Sequence, residues 1–182
     1  SRLLVRNKVR ILSYHRVCDM PRTGDIMDAL NVPPALFDEQ MSFLVRHGFN
    51  VVTLEQLIDY KEKNVTPPPR TIVITFDDGY RDNFLHAFPI LRDLGMPATI
   101  FLTTGCIEQG KLAWYDQVCL AFKLTTERRL NLDFPDAPRG SLESEPARLQ
   151  MLRRLLEWFW KLPEAERLRC MSALIRALRV PA

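Results

Sequence analysis

Thr71-Ile72-Val73-Ile74-Thr75-Phe76-Asp77-Asp78-Gly79-Tyr80 is the stretch on which the fold turns. Six β-favouring, nearly all apolar residues predict a strand buried on both faces, as in parallel sheets covered by helices. The strand ends abruptly in two adjacent carboxylates. Their repulsion must be relieved by a cation, a shared proton or solvent. Gly79 then lets the backbone turn sharply and approach a ligand. Asp-Asp-Gly is also ordinary turn chemistry, so the bare tripeptide admits a structural reading beside the functional one.

Working outward, Val9 to Tyr14 is a second β-favouring run. Pro34 opens a helical pattern with Phe37, Met41, Leu44 and Val45 on one face, stopped by Gly48. Asn50 to Val52 forms a brief strand, and Thr53 with Gln56 is a capping box before Leu54, Leu57 and Ile58. Three prolines, Pro67 to Pro69, end that helix and lead into the central strand. Downstream, a helix carries Phe84, Phe88, Leu91 and Leu94, with a kink or restart at Pro89. Pro97 then starts another buried strand, Ala98 to Thr103. This strand–helix alternation predicts an α/β fold with parallel pairing, either a doubly wound sheet or a (β/α) barrel. Parallel strands deliver functional groups at their carboxyl ends. Those ends carry His15, Asp77 with Asp78, and Thr103 with Thr104, which topology gathers on one edge.

From Ala113 onward the pattern turns helical. Trp114–Leu124 and Glu145–Trp160 read as amphipathic helices, the second capped by Ser144 with Pro146 in its first turn. Arg129–Phe134 alternates like a strand. A third helix follows Pro163, with Leu168, Met171, Leu174, Ile175 and Leu178 at helical spacing. Residues 145–179 predict an antiparallel pair turning at Leu162-Pro163, with Leu152, Leu156 and Phe159 facing Leu168, Met171 and Ile175. Trp158, Phe159 and Trp160 read as helix–helix core. The domain boundary expected from this change is 1–116 and 117–182.

The chain has 182 residues, 47% hydrophobic and 26% charged, which excludes wholesale disorder and suits one domain with an appendage. No apolar run approaches the roughly 20 residues of a membrane span. No signal peptide is visible, and an opening at Ser1 predicts a trimmed start. The net charge of +3 arises in residues 113–182, with 12 basic against 9 acidic residues, a solvated helical surface and not a nucleic-acid footprint. Cys18, Cys106, Cys119 and Cys170 form no CxxC pair and read as reduced packing residues.

TFDDGYRDNF, with FPILRDLGMPATIFLTTG after it and ILSYHRV before it, resembles the first motif of the polysaccharide deacetylases, the NodB-homology carbohydrate esterases, over residues 9–116. The resemblance implies the N-terminal part of a (β/α) barrel followed by a mainly helical insertion or extension. It implies that Asp77 is the general base, that Asp78 binds a divalent metal such as zinc, and that the backbone N–H of Tyr80 helps hold the oxyanion. The implied reaction removes N-acetyl groups from a polysaccharide, at the cell envelope or its cytoplasmic face. His15, Thr103, Thr104 and Trp114 would line the pocket. Asp116 would edge the cleft beside Trp114. His47 and His86 read as packing or surface residues on helices, and Arg81, Asp82 and Asn83 as caps of the following helix.

One departure matters. The family's HxxxH metal motif is missing, as are its later histidine and arginine motifs, which predicts that the remaining ligands lie beyond this chain. The alternatives are a non-catalytic carbohydrate-binding or scaffolding homologue with a degenerate site, and a helical interaction module whose residues 145–179 dock on a partner or on the rest of the protein.

Overall fold

A computed structural model describes residues 9–19, 28 and 30–181. They fall into two compact units, one running through Thr104 and the other from Gly105 onward.

The first unit is built on parallel strands. β1 (Arg10–Tyr14) lies along one side of the central strand β5 (Thr71–Phe76), in a register that sets Ser13 beside Thr75 and Tyr14 beside Phe76. The other side of β5 is shared by β4 (Asn50–Val52) at its start and β6 (Thr99–Ile100) at its end. A short parallel pair, β2 (Arg16–Val17) with β3 (Asn31–Val32), continues from β1. Because side chains alternate across a strand, Ile72, Ile74 and Phe76 face one way. They pack with Phe37, Met41 and Leu44 of α1 (Pro34–Arg46) in the core of this unit. Thr71, Val73 and Thr75 on the opposite face are buried as well. All six residues of β5 are thus buried, Thr71 and Thr75 among them. Helix α2 (Leu54–Glu62) starts with the full capping box: Gln56 N–H donates to Thr53 Oγ1, and Thr53 N–H to Gln56 Oε1.

Two expectations need correction here. Phe84 and Phe88 do not face the core; they are 67% and 47% exposed, while Asn83, Ala87 and Leu91 are buried. Pro89 has no N–H to offer the preceding turn, and that turn widens into a π-helix over Asn83–Ala87, with Phe88 N–H reaching back five residues to the Asn83 carbonyl. The extra residue shifts the phase of the face before α3 (Phe88–Asp93) begins. The strand expected over Ala98–Thr103 is confined to Thr99–Ile100, and Ile100, Phe101 and Leu102 are about half exposed. Among the described residues no further strand pairs with β6 to cover them.

The second unit is helical, and α4 (Thr104–Gln109) leads into it. Helix α5 (Trp114–Leu124) packs against both α6 (Glu145–Lys161) and α7 (Glu164–Ala177). A short antiparallel hairpin, β7 (Arg129–Leu130) with β8 (Gly140–Ser141), replaces the longer strand expected over Arg129–Phe134. The chain breaks at extended Leu162, so α6 and α7 are separate helices as Pro163 predicts. The buried face of α7 is Cys170, Met171 and Leu174, with Leu178 beyond it, whereas Leu168 is 65% exposed. Of the aromatic run, Phe159 is fully buried and Trp160 is 73% exposed. Successive helical residues point about 100° apart, so three in a row cannot share one core.

Candidate active site

The parallel register of β1 and β5 brings residues 64 positions apart to one sheet end. Asp77 leaves β5 with its N–H bonded to the Tyr14 carbonyl at 2.9 Å, which fixes the start of the turn against β1. Ser13 Oγ donates to Asp77 Oδ2 at 2.7 Å, and His15 Nε2 lies 3.8 Å from the same oxygen. Ser13 and His15 alternate onto the face that Thr75 and Asp77 occupy in the partner strand. Both His15 and Asp77 keep about a third of their side-chain surface in solvent.

Asp78 is held from the other side of β5. Thr103 Oγ1, just past β6, donates to Asp78 Oδ1 at 3.3 Å. The adjacent carboxylates are thus drawn toward different neighbouring strands, which relieves the repulsion inherent in their spacing. The backbone achieves this with two successive left-handed residues, Asp78 at φ 69° and Gly79 at φ 70°. Aspartate tolerates that region, and glycine enters it freely. Space demands glycine too: a Cβ at position 79 would lie 2.5 Å from Leu102 Cδ2.

Sequence reasoning missed three participants. Ser13 is one; its signal was a small polar residue two positions before His15, following Ile11 and Leu12 in the strand. The others are Arg16 and Asp82. Asp82 does not cap the following helix. It is buried and accepts Arg16 Nε and Nη2 on Oδ2, at 2.8 and 2.7 Å, and the Val17 N–H on Oδ1 at 3.2 Å. The Arg16 guanidinium lies 4.6 Å from the centroid of the Tyr80 ring. Burial disfavours the Arg16 charge, but the hydrogen bond and charge of Asp82 outweigh it and hold the guanidinium above its ordinary pKa. Asn83 is buried too, and neither its side-chain nitrogen nor its oxygen meets a partner among the described residues.

The remaining residues singled out by the sequence belong to other elements. Thr104 is exposed and begins α4, its N–H bonded to the Leu102 carbonyl. Trp114 belongs to the second unit, where its ring stacks on Phe159 at 5.9 Å and the Arg167 guanidinium covers it at 5.0 Å. His47 ends α1 with its ring stacked on Phe43, and His86 is exposed.

A catalytic zinc typically takes three protein ligands. Among the described residues no group of three His, Cys, Asp or Glu side chains is placed to hold a metal. The described donors therefore do not by themselves make a zinc site; Asp78 offers one carboxylate, and His15 stands beside Asp77 instead.

Residues 64–140 match the family described as polysaccharide deacetylase, so the likeness continues past the expected limit at 116, through α5 and the β7–β8 hairpin. A poly-β-1,6-N-acetyl-D-glucosamine N-deacetylase of Staphylococcus epidermidis is 33% identical over 111 residues, covering 56% of this chain and 38% of its own length. A Streptococcus pyogenes deacetylase solved with acetate superposes with a TM-score of 0.51 at 28% identity, over 63% of this chain and 52% of that one. IcaB from Ammonifex degensii superposes over 97% of this chain and 72% of its own, with a TM-score of 0.51 at 20% identity, a likeness of fold. The chain spans 32–41% of the length of the curated relatives it matches. The Asp77-Asp78-Gly79 turn at a parallel strand end lies inside residues 64–140, the segment that matches the polysaccharide deacetylase family.

Proposed function

We propose that the protein containing this chain is a metal-dependent hydrolase that removes N-acetyl groups from a polysaccharide, with poly-β-1,6-linked N-acetylglucosamine as the first substrate to test. The sheet would be part of a NodB-type (β/α) barrel, continued by strands outside this chain. The observation that carries the reading is the division of the carboxylate pair, Asp77 against Ser13 and His15 and Asp78 against Thr103.

In this reading Asp77 is the general base. The Ser13 hydroxyl orients its Oδ2, and the carboxylate takes the proton of the attacking water. The Tyr80 N–H stabilises the oxyanion that forms as water adds to the acetyl carbonyl. His15 and Thr103 line the pocket. Asp78 would be one ligand of a divalent metal, whose chemistry in such hydrolases is to polarise the carbonyl and acidify water. Its other ligands would come from outside these residues. The acid that protonates the departing amine is not assigned to this chain. The carbohydrate-binding alternative gains no specific support from the geometry.

The test is acetate release from poly-β-1,6-N-acetylglucosamine, together with zinc titration calorimetry. The 182-residue chain alone should bind zinc weakly and release no acetate at a useful rate, because one preorganised carboxylate cannot hold the ion against water. A longer form carrying a downstream HxxxH should do both. In that form Asp78→Ala should abolish metal binding, and Asp77→Asn should keep it while losing turnover. Tight, stoichiometric zinc binding by the present chain would overturn the assignment of ligands.

A further inference from the structure

Arg16 touches none of the groups given a chemical role above, yet it ties the turn together. Its two nitrogens grip one oxygen of Asp82 across 66 positions of sequence, and the other oxygen takes the Val17 N–H. Both carboxylate oxygens are thus committed, on a side chain 9% exposed. The other face of the Arg16 interaction is the Tyr80 ring, 4.6 Å from the guanidinium carbon. The Tyr80 carbonyl in turn accepts the Asn83 N–H at 3.0 Å.

The need for such a grip follows from the backbone. The direction of the Tyr80 N–H is set by the peptide plane between residues 79 and 80. Gly79 has no Cβ to restrict that plane, and it sits in a left-handed pair with Asp78. A donor that must be fixed in advance to be useful is therefore attached to the most permissive residue in the turn. The ring of the next residue is one handle on that plane, and Arg16 covers that ring.

We infer that Arg16, anchored by Asp82 and stacked on Tyr80, is a positioning residue that fixes the 79–80 peptide plane and so aims the Tyr80 N–H. It acts through Tyr80 and does not touch the reacting atoms. The catalytic half of this inference rests on the oxyanion role proposed above; the mechanical half does not.

Amide exchange measured by NMR on the 182-residue chain tests the mechanical half. Arg16→Met alone would strand a buried carboxylate and endanger the fold, so it is paired with Asp82→Asn. In the double variant the Asn83 amide, bonded to the Tyr80 carbonyl, should exchange about tenfold faster or more, while those of Ile72 and Ile74 are unchanged. Tyr80→Leu, which keeps the ion pair and the backbone N–H, should give the same local loss. A merely structural ion pair would leave Tyr80→Leu silent, and that result, or unchanged exchange in both variants, overturns the inference. In the longer, metal-loaded protein both variants should lower kcat by about 10- to 100-fold with KM and zinc affinity unchanged, and Arg16→Lys should recover part of it. A change in KM or zinc affinity without a change in kcat would refute the positioning role. If the longer parent releases no acetate, the deacetylase reading fails and takes the catalytic half with it, while exchange still decides the grip.

Discussion

The second unit and the Asp77–Asp82 turn of the first make different use of several polar side chains. In the second unit, charged and hydroxyl groups reach back to main-chain carbonyls: Arg148 to those of Phe122 and Thr125, Arg167 to those of Phe159 and Leu162, Thr125 to that of Leu178. These bonds satisfy the orphan acceptors at the ends of α5, α6 and the final turn. Around the Asp77–Asp82 turn of the first unit, Ser13, Thr103 and Arg16 reach carboxylates instead. In the second unit these groups finish its own helices. The first aims three carboxylates at a strand end, and tolerates two left-handed residues to do so.

That contrast can be broken most forcefully in the second unit. Phe159→Ala removes a fully buried ring and should destabilise it by about 3–5 kcal/mol. Trp114, Trp158 and Trp160 all lie in that unit, so urea unfolding followed by tryptophan fluorescence reads it directly. A shift below 1 kcal/mol would mean that the helical core is not the support it looks to be.

In the first unit Gly79→Ala should cost about 1–2 kcal/mol from the left-handed backbone alone, with a further cost from the contact with Leu102. Adding Leu102→Ala should return the contact part and leave the backbone part, measured by denaturant dependence of amide exchange in β5. Full recovery would show that φ at residue 79 is not strained. Thr53→Ala, which removes half of the capping box on α2, should cost about 1 kcal/mol and leave the Asp77 turn untouched, a control for scaffold effects within the site-bearing unit.

The smallest effect has the opposite sign. Asn keeps an acceptor for Thr103 and tolerates a positive φ, while removing one of two neighbouring charges. Asp78→Asn should therefore leave the first unit as stable as before or up to about 1 kcal/mol more stable. Clear destabilisation would show that the charge at 78 serves the fold, and would erase the distinction drawn between the units.

What lies within a few residues of itself was legible in the sequence. The β5 strand, the α1 start at Pro34, the Thr53–Gln56 box, the Ser144 cap and the break at Pro163 each follow from local chemistry: β-branched runs, fixed proline angles, side chains reaching one helical turn. The placement of His15 and the aspartates at one sheet end also followed, since parallel order alone dictates it. Tertiary structure decided the rest. Ser13 meets Asp77, and Arg16 meets Asp82, only because the register of β1 on β5 closes a loop of more than 60 residues, and no periodicity records a register. The phase of the face after Tyr80 was lost when Pro89 widened the turn before it, exposing Phe84 and Phe88 and burying Asn83. Residue type sets which groups can serve a site; backbone register and helical phase, which depend on contacts far apart in the chain, set which of them arrive there.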